Sequence, residues 1–302
     1  MTGPGSHVVV EVDVLGPELS AVLGRDPIDV PRAALVIAKL EYPDLDPAPS
    51  LTLLKQLGER AADALEPIRT APLRTRIGAF NRLLFERERF AGNRAHYDDF
   101  RNSLLNIVLE RRLGIPITLA VVYIDVARRA GLDAEGVAFP GHFLLRLVDE
   151  AAPAAAVILD PFNGGAELDE AACRALLART AGDEAPYDEA LLQPCTARQL
   201  VARMLNNLKR TYVELRSFPH ARRVTDLLLA ADPTITSERR DRGLLSYHLN
   251  DFSAALCDLE DYVRLNAWTE GADAERSESD RDERDQIWEH IKSLRRRVAG
   301  LN

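Results

Sequence analysis

The chain has 302 residues, 46% hydrophobic and 28% charged, the balance of a folded protein with one large or two ordinary domains rather than of a disordered segment. A formal net charge of -9 argues against a nucleic-acid partner, whose phosphates demand clustered Lys and Arg. No run approaches the roughly 18 apolar residues that cross a bilayer, and MTGPGSHVVVEVDV has no basic stretch leading into an apolar one, so cytoplasmic residence without a membrane partner is the expectation.

The first half is mostly helical. ALVIAKLEYP (33–43) carries an apolar stripe stopped by Pro43. Ser50 is the natural N-cap of LTLLKQLGERAADAL, which Pro67 ends, and residues 73–89 continue the helical pattern up to a GNRAHYDD loop. Phe100 to Arg112 spaces Leu104, Leu105, Val108 and Leu109 as one helix, with Gly114 as its C-terminal cap. PITLAVVYIDVARRAG (116–131) opens on Pro116, is apolar nearly all round and reads as the buried central helix.

The period then shortens to about two. EGVAF, HFLLRLV and AAVILD predict three antiparallel strands packed on that helix, followed by the turn DPFNGG and a helix from about Asp169 to Arg179. From Thr196, TARQLVARMLNNLKRTYVELRSF is a long amphipathic helix, and an internal repeat follows. Phe218, Ala221, Leu229, Asp232 and Pro233 align with Phe252, Ala255, Val263, Asn266 and Ala267 at a constant offset of 34 residues, the tetratricopeptide period. Beyond the acid-rich segment 270–285, Ile287, Trp288, Ile291, Leu294 and Val298 form the apolar stripe of a last helix, read as the cap of the array, with a partner-binding helix as the alternative.

Three cysteines, at 173, 195 and 257, form no CxxC pair and offer neither a disulfide framework nor a zinc site. Cys173 and Cys257 read as small core residues of helices and Cys195 as a loop or cap residue. GIPIT (114–118), PGHF (140–143) and LDPFNGG (159–165) gather the chemistry. A Cys-His-Asp enzyme sets its nucleophile at a helix N-terminus, a base on a neighbouring strand and an acid that orients the base. His142 opens the second predicted strand and Asp160 ends the third, so a hairpin brings imidazole Nδ–H towards the carboxylate.

On YDDFRNSLLNIVLERRLGIPITLAVVY, GVAFPGHFLLRL, ILDPFNGG and ERRDRGLLSYHLNDFSAALCDLEDYV, from about Ala33 to Ala267, the sequence resembles the bacterial SirB (invasion-regulator) family. That resemblance implies an α+β papain/transglutaminase-like core with a small antiparallel sheet, then an all-α tetratricopeptide-like repeat. The domains expected are an N-terminal extension (1–30), the core (31–195) and the repeat with its capping helix (196–302). By resemblance His142 and Asp160 take the transglutaminase His and Asp positions, and the stretch from Gly114 to Ala120 puts Pro116 where the nucleophilic Cys belongs. No cysteine precedes Cys173, so the His and Asp are expected to be vestigial.

Substitute hydroxyls are Thr118, in the first turn of the central helix, and Ser103, at the start of the preceding one; with His142 and Asp160 they would make an acyl-transfer or amide-hydrolysing enzyme. A β-branched Thr at such a position also bonds a nearby carbonyl as plain structure. A metal read from His142, Asp160 and His96 has no ligand spacing behind it, and no metal or cofactor is expected. Arg239, Arg240 and Arg242 are the candidate partner contacts, as a basic ledge for an acidic peptide or as ion pairs with neighbouring acidic helices. The leading expectation is an interaction or regulatory protein that binds a protein or peptide through the repeat.

Overall fold

A computed structural model describes residues 12–149, 152–267 and 278–299. It divides into two compact units, one of Ala21–Asn207 and one that joins the chain up to Ser20 with the chain from Leu208 onward. Of the expected 1–30 extension, residues 1–11 lie outside the described chain; the rest holds helix α1 (Val12–Leu23), and Asp29 caps α2 (Val30–Ala38) by accepting from the Arg32 amide.

In the first unit, α3 (Ala48–Leu65) begins two residues before Ser50, which therefore is no cap, and breaks at Glu66–Ile68 around Pro67. The stretch from 73 is not one helix: α4 (Leu73–Asn81) widens into a π turn over Arg82–Arg87. The helix expected over 100–112 is likewise divided. Phe100–Ser103 is a 3-10 turn, Leu104 is extended, and α5 (Leu105–Arg111) ends on Arg112, whose φ of 62° supplies the left-handed cap assigned to Gly114. Gly114 instead lies in a two-residue strand, β2 (Leu113–Gly114), paired parallel with β1 (Ala91–Gly92).

Next comes α6 (Pro116–Arg129), with Pro116 at its first turn and Ile117 to Tyr123, Val126 and Ala127 all buried. The sheet has four strands rather than three: β3 (Asp133–Val137), β4 (Leu144–Asp149), β5 (Ala152–Asp160) and a short β6 (Ala166–Leu168), antiparallel in that order. Val137, Leu144 and Ile158 share one face and pack on Cys173, Leu176 and Leu177 of α7 (Glu170–Ala181). The other face, with Ala134, Leu145, Leu147 and Leu159 buried, meets α6. Cover on both faces explains why LLRLV and VIL read as apolar runs with little alternation. α8 (Ala197–Glu214) carries the chain into the second unit.

That unit stacks α9 (Phe218–Ala231), α10 (Thr236–His248), α11 (Phe252–Ala267) and α12 (Glu278–Ala299). α9 and α11 begin on the equivalent Phe residues, and both Ala221 and Ala255 are fully buried, because small side chains let antiparallel helices approach. Ile287, Ile291 and Leu294 of α12 pack on Ala255 and Leu259. Trp288, expected on the same stripe, is 36% exposed, since the α-helical turn carries it off the buried line. Cys257 is also exposed rather than core, facing away from the Ala255–Leu259 seam. Residues 270–277 of the acid-rich segment lie outside the described chain.

Candidate functional site

The site forms where β5 ends. Asp160 is buried and begins the tight turn Pro161–Asn163, its Oδ1 accepting from the Phe162 amide at 2.9 Å and the Asn163 amide at 3.3 Å. Oδ2 accepts from the Asn163 side-chain amide. The same Oδ1 meets His142 Nε2 at 3.0 Å. Burial works to raise the Asp160 pKa, but the hydrogen bond and charge of His142 and the donors from Asn163 and Phe162 outweigh it and hold the carboxyl below its ordinary value.

His142 does not open a strand; it sits in the Pro140–Phe143 turn ahead of β4, with its backbone N–H on the Phe139 carbonyl. Gly141 makes that turn with φ +66°, and a Cβ there would meet the Thr180 Cβ at 2.7 Å. Thr180 in turn donates to the Pro140 carbonyl at 2.7 Å, fastening the turn to the end of α7. The ring nitrogen that meets the acid is Nε2, not the Nδ1 expected from the sequence, because the turn brings the ring to Asp160 tip first.

The hydroxyls do not join this pair. Thr118 is fully buried; its Oγ1 donates to the Asn102 carbonyl at 2.8 Å and accepts from the Ile115 amide at 3.2 Å, closing the N-terminus of α6. Ser103 is buried in the 3-10 turn before α5 and makes no described bond to His142. Burial pushes the Cys173 and Cys195 thiols up, away from the thiolate form. Among the described residues no group of three His, Cys, Asp or Glu side chains is placed to hold a metal ion.

Residues the sequence reading passed over surround the pair. Phe162 meets His142 edge-on, with ring centroids 6.3 Å apart, and Tyr97 meets Phe162 edge-on at 5.7 Å. The Arg94 guanidinium donates to the Asn163 side-chain oxygen and lies 5.4 Å from the Phe162 ring centroid. An open groove runs along this loop, bordered by Arg94, His96, Tyr97, Arg101, Arg111 and Leu113 among others. Only the coincidence of cation and aromatic in one GNRAHYDD loop signalled this in the sequence.

Residues 50–206 match the transglutaminase-like superfamily and residues 208–289 the tetratricopeptide repeat family. Over 257 residues, 84% of this chain and 89% of the relative, it is 41% identical to the UPF0162 protein of Xylella fastidiosa. With the protein SirB1 of Salmonella typhimurium it is 30% identical over 159 residues, 53% of this chain and 58% of that one. The chain belongs to the SirB-like family. The chain is also similar to F-box only protein 21 of Homo sapiens, 31% identical over 182 residues, 57% of this chain but 28% of that protein. No solved structure gives a significant match.

In the tetratricopeptide unit the arginines face acids. Arg242 holds Asp258 and Asp226, so α10 is tied to both α11 and α9. Arg240 pairs with Asp241, and Arg239 stands 3.9 Å from Asp261. The open ledge therefore does not form at Arg242: its acids lie one helix away on either side, within reach of a single planar guanidinium. Lys209 adds a second cluster, 2.7 Å from Glu238 and 2.8 Å from Asp241.

Proposed function

We propose that this SirB-like protein is a regulatory interaction protein whose transglutaminase-like domain binds a ligand without thiol chemistry, while its tetratricopeptide helices dock a protein partner. One observation carries the reading: the His142 imidazole has its carboxylate at 3.0 Å, and no described thiol bonds to the ring. A base so oriented holds a proton or a hydrogen-bonding ligand, but acyl transfer needs a nucleophile beside it. The hydroxyl alternative finds no support at Thr118, whose hydroxyl proton is taken up by the Asn102 and Ile115 carbonyls. Tetratricopeptide arrays are peptide-binding scaffolds, and Arg239 and Arg240 are the proposed partner contacts, Arg242 serving the fold. Three free cysteines fit a reducing compartment, which with the absence of a helix long and apolar enough to cross a membrane, among the described residues, supports the cytoplasm as its place.

The full chain is incubated with a glutamine-containing peptide and a primary amine, with a peptide substrate alone, and with an electrophilic acyl probe. No ammonia release, cleavage or labelling is expected. Turnover that disappears in His142→Ala, with the fold kept, overturns the proposal.

A further inference from the structure

We infer that the groove along residues 93–101 of the transglutaminase-like domain takes an acidic peptide segment, with Arg94 gripping one carboxylate beside the His142–Asp160 pair. The inference deepens the proposed reading by naming the ligand class of that domain, and it rests on that reading only for the ligand's leaving unchanged.

Four observations carry it. First, Arg94 is exposed, and among the described residues no carboxylate pairs with it; its guanidinium donates to the neutral side-chain oxygen of Asn163. With one donor on the Asn163 amide and its plane beside the Phe162 ring, the guanidinium still has N–H donors to spare, and its planar fork matches a carboxylate with two parallel bonds. Second, the groove borders carry three guanidiniums, of Arg94, Arg101 and Arg111, against two carboxylates, of Asp98 and Asp99. Asp99 alone faces both Arg101, at 2.8 Å, and Arg111, at 3.4 Å, and those cations and the Arg101 hydrogen bond hold its carboxyl low despite partial burial. A surplus of positive charge in a chain of net charge -9 selects an anion locally. Third, Asp98 and Asp99 on the same rim repel a closely spaced polyanion, so an acidic peptide with separated carboxylates is favoured over nucleic acid. Fourth, Tyr97 and Leu113 are exposed along the groove and offer apolar surface for the neighbouring side chains of such a peptide.

The link to the pair is direct: Arg94 bonds Asn163, Asn163 bonds Asp160, and Asp160 bonds His142. A carboxylate seated on Arg94 thus lies at the end of a continuous polar chain that includes the imidazole.

The test is fluorescence anisotropy of the full chain with a labelled peptide alternating glutamate and serine, its glutamine counterpart and its lysine counterpart. The glutamate peptide is expected to bind about tenfold or more tightly than either, less so as salt rises. Arg94→Gln is expected to remove that advantage, and Ala95→Glu, which sets a repelling charge on the same exposed rim, to reduce it. Arg174→Gln on α7, whose side chain bonds Glu170, leaves binding as in the parent chain. Equal binding of the glutamate and glutamine peptides, or parent-like binding by both Arg94→Gln and Ala95→Glu with unchanged circular dichroism, overturns the assignment. Substrate turnover by the chain sinks the non-catalytic reading and leaves this titration standing, so the two failures are distinguishable.

Discussion

Arg242 grips Asp258 with two N–H···O bonds of 2.6 and 2.7 Å and reaches Asp226 with a third of 2.9 Å, so one guanidinium on α10 serves acids on the helices before and after it. Burial and the nearby Asp258 push the Asp226 carboxyl up, against the pull of Arg242. Arg242→Met leaves Asp226 and Asp258 without their shared cation and is expected to cost about 2–4 kcal/mol, about 1 kcal/mol below the range for a fully buried broken pair because the group is partly exposed. Without the cation the Asp226 carboxyl, already raised by burial, holds its proton still more tightly in the folded state than in the unfolded one. The loss is therefore greatest at neutral pH and shrinks as the pH falls towards about 4. Urea unfolding of the full chain at the two pH values checks this.

Asp160 has the opposite sign. Its folded-state pKa lies below the ordinary 3.8, so the unfolded chain binds more protons in that window and stability is lost as the pH falls through it. Asp160→Asn is expected to abolish this acid-side slope and to cost about 1–3 kcal/mol at neutral pH through its weakened bonds to His142 and the Asn163 side chain. Melting temperature against pH for both chains reads it out.

Thr118→Val strands the buried Asn102 carbonyl and the Ile115 amide, and is expected to cost about 1–3 kcal/mol. Thr118→Ser keeps the hydroxyl and loses about 1 kcal/mol for its methyl. Equal losses in denaturant titrations of the two variants would show that the hydroxyl does not hold the helix start.

Gly92 lies under Phe162: a Cβ would stand 2.5 Å from the ring and 2.7 Å from the Phe162 carbonyl oxygen. Gly92→Ala is expected to cost about 1–3 kcal/mol by overpacking and to displace the turn that Asp160 begins. Chemical denaturation gives the first quantity, and the line width and shift of the His142 ring protons by NMR report the second.

The three thiols should separate by rate. Cys257 is exposed, Cys195 half-buried and Cys173 buried in the sheet–α7 core, where burial raises its pKa. Stopped reaction with a thiol reagent followed by mass spectrometry is expected to modify Cys257 first and Cys173 only on unfolding. Early modification of Cys173 would contradict that burial.

Strong periodicity made the larger elements legible. α6 announced itself through nine apolar positions between Ile117 and Ala127, interrupted only by Thr118 and Asp125, and the 34-residue offset of Phe218 and Phe252 marked the first helices of two repeats. The pairing of His142 with Asp160 was readable in outline, since a strand end and a turn before a neighbouring strand must meet in an antiparallel sheet. What escaped was set by local geometry that periodicity does not encode. Arg112 takes a left-handed cap that a glycine two residues later was ready to fill, Leu104 interrupts a run with helical spacing, and β6 is three residues long. Arg94, Tyr97, Phe162 and Asn163 come together only through tertiary packing, so their loop gave composition without position.

The Asn93 side chain donates to the Asn102 side-chain oxygen at 2.9 Å and accepts the His96 amide, while Asn102 donates to the His96 carbonyl at 2.7 Å. Two buried carboxamides thus staple the start of the segment to its finish, leaving Arg94 and Tyr97 on a rim whose backbone is already fixed. The backbone there has little conformational freedom left to lose, so for the ligand class proposed above the ordering cost falls on the Arg94 and Tyr97 side chains alone and not on the segment that carries them.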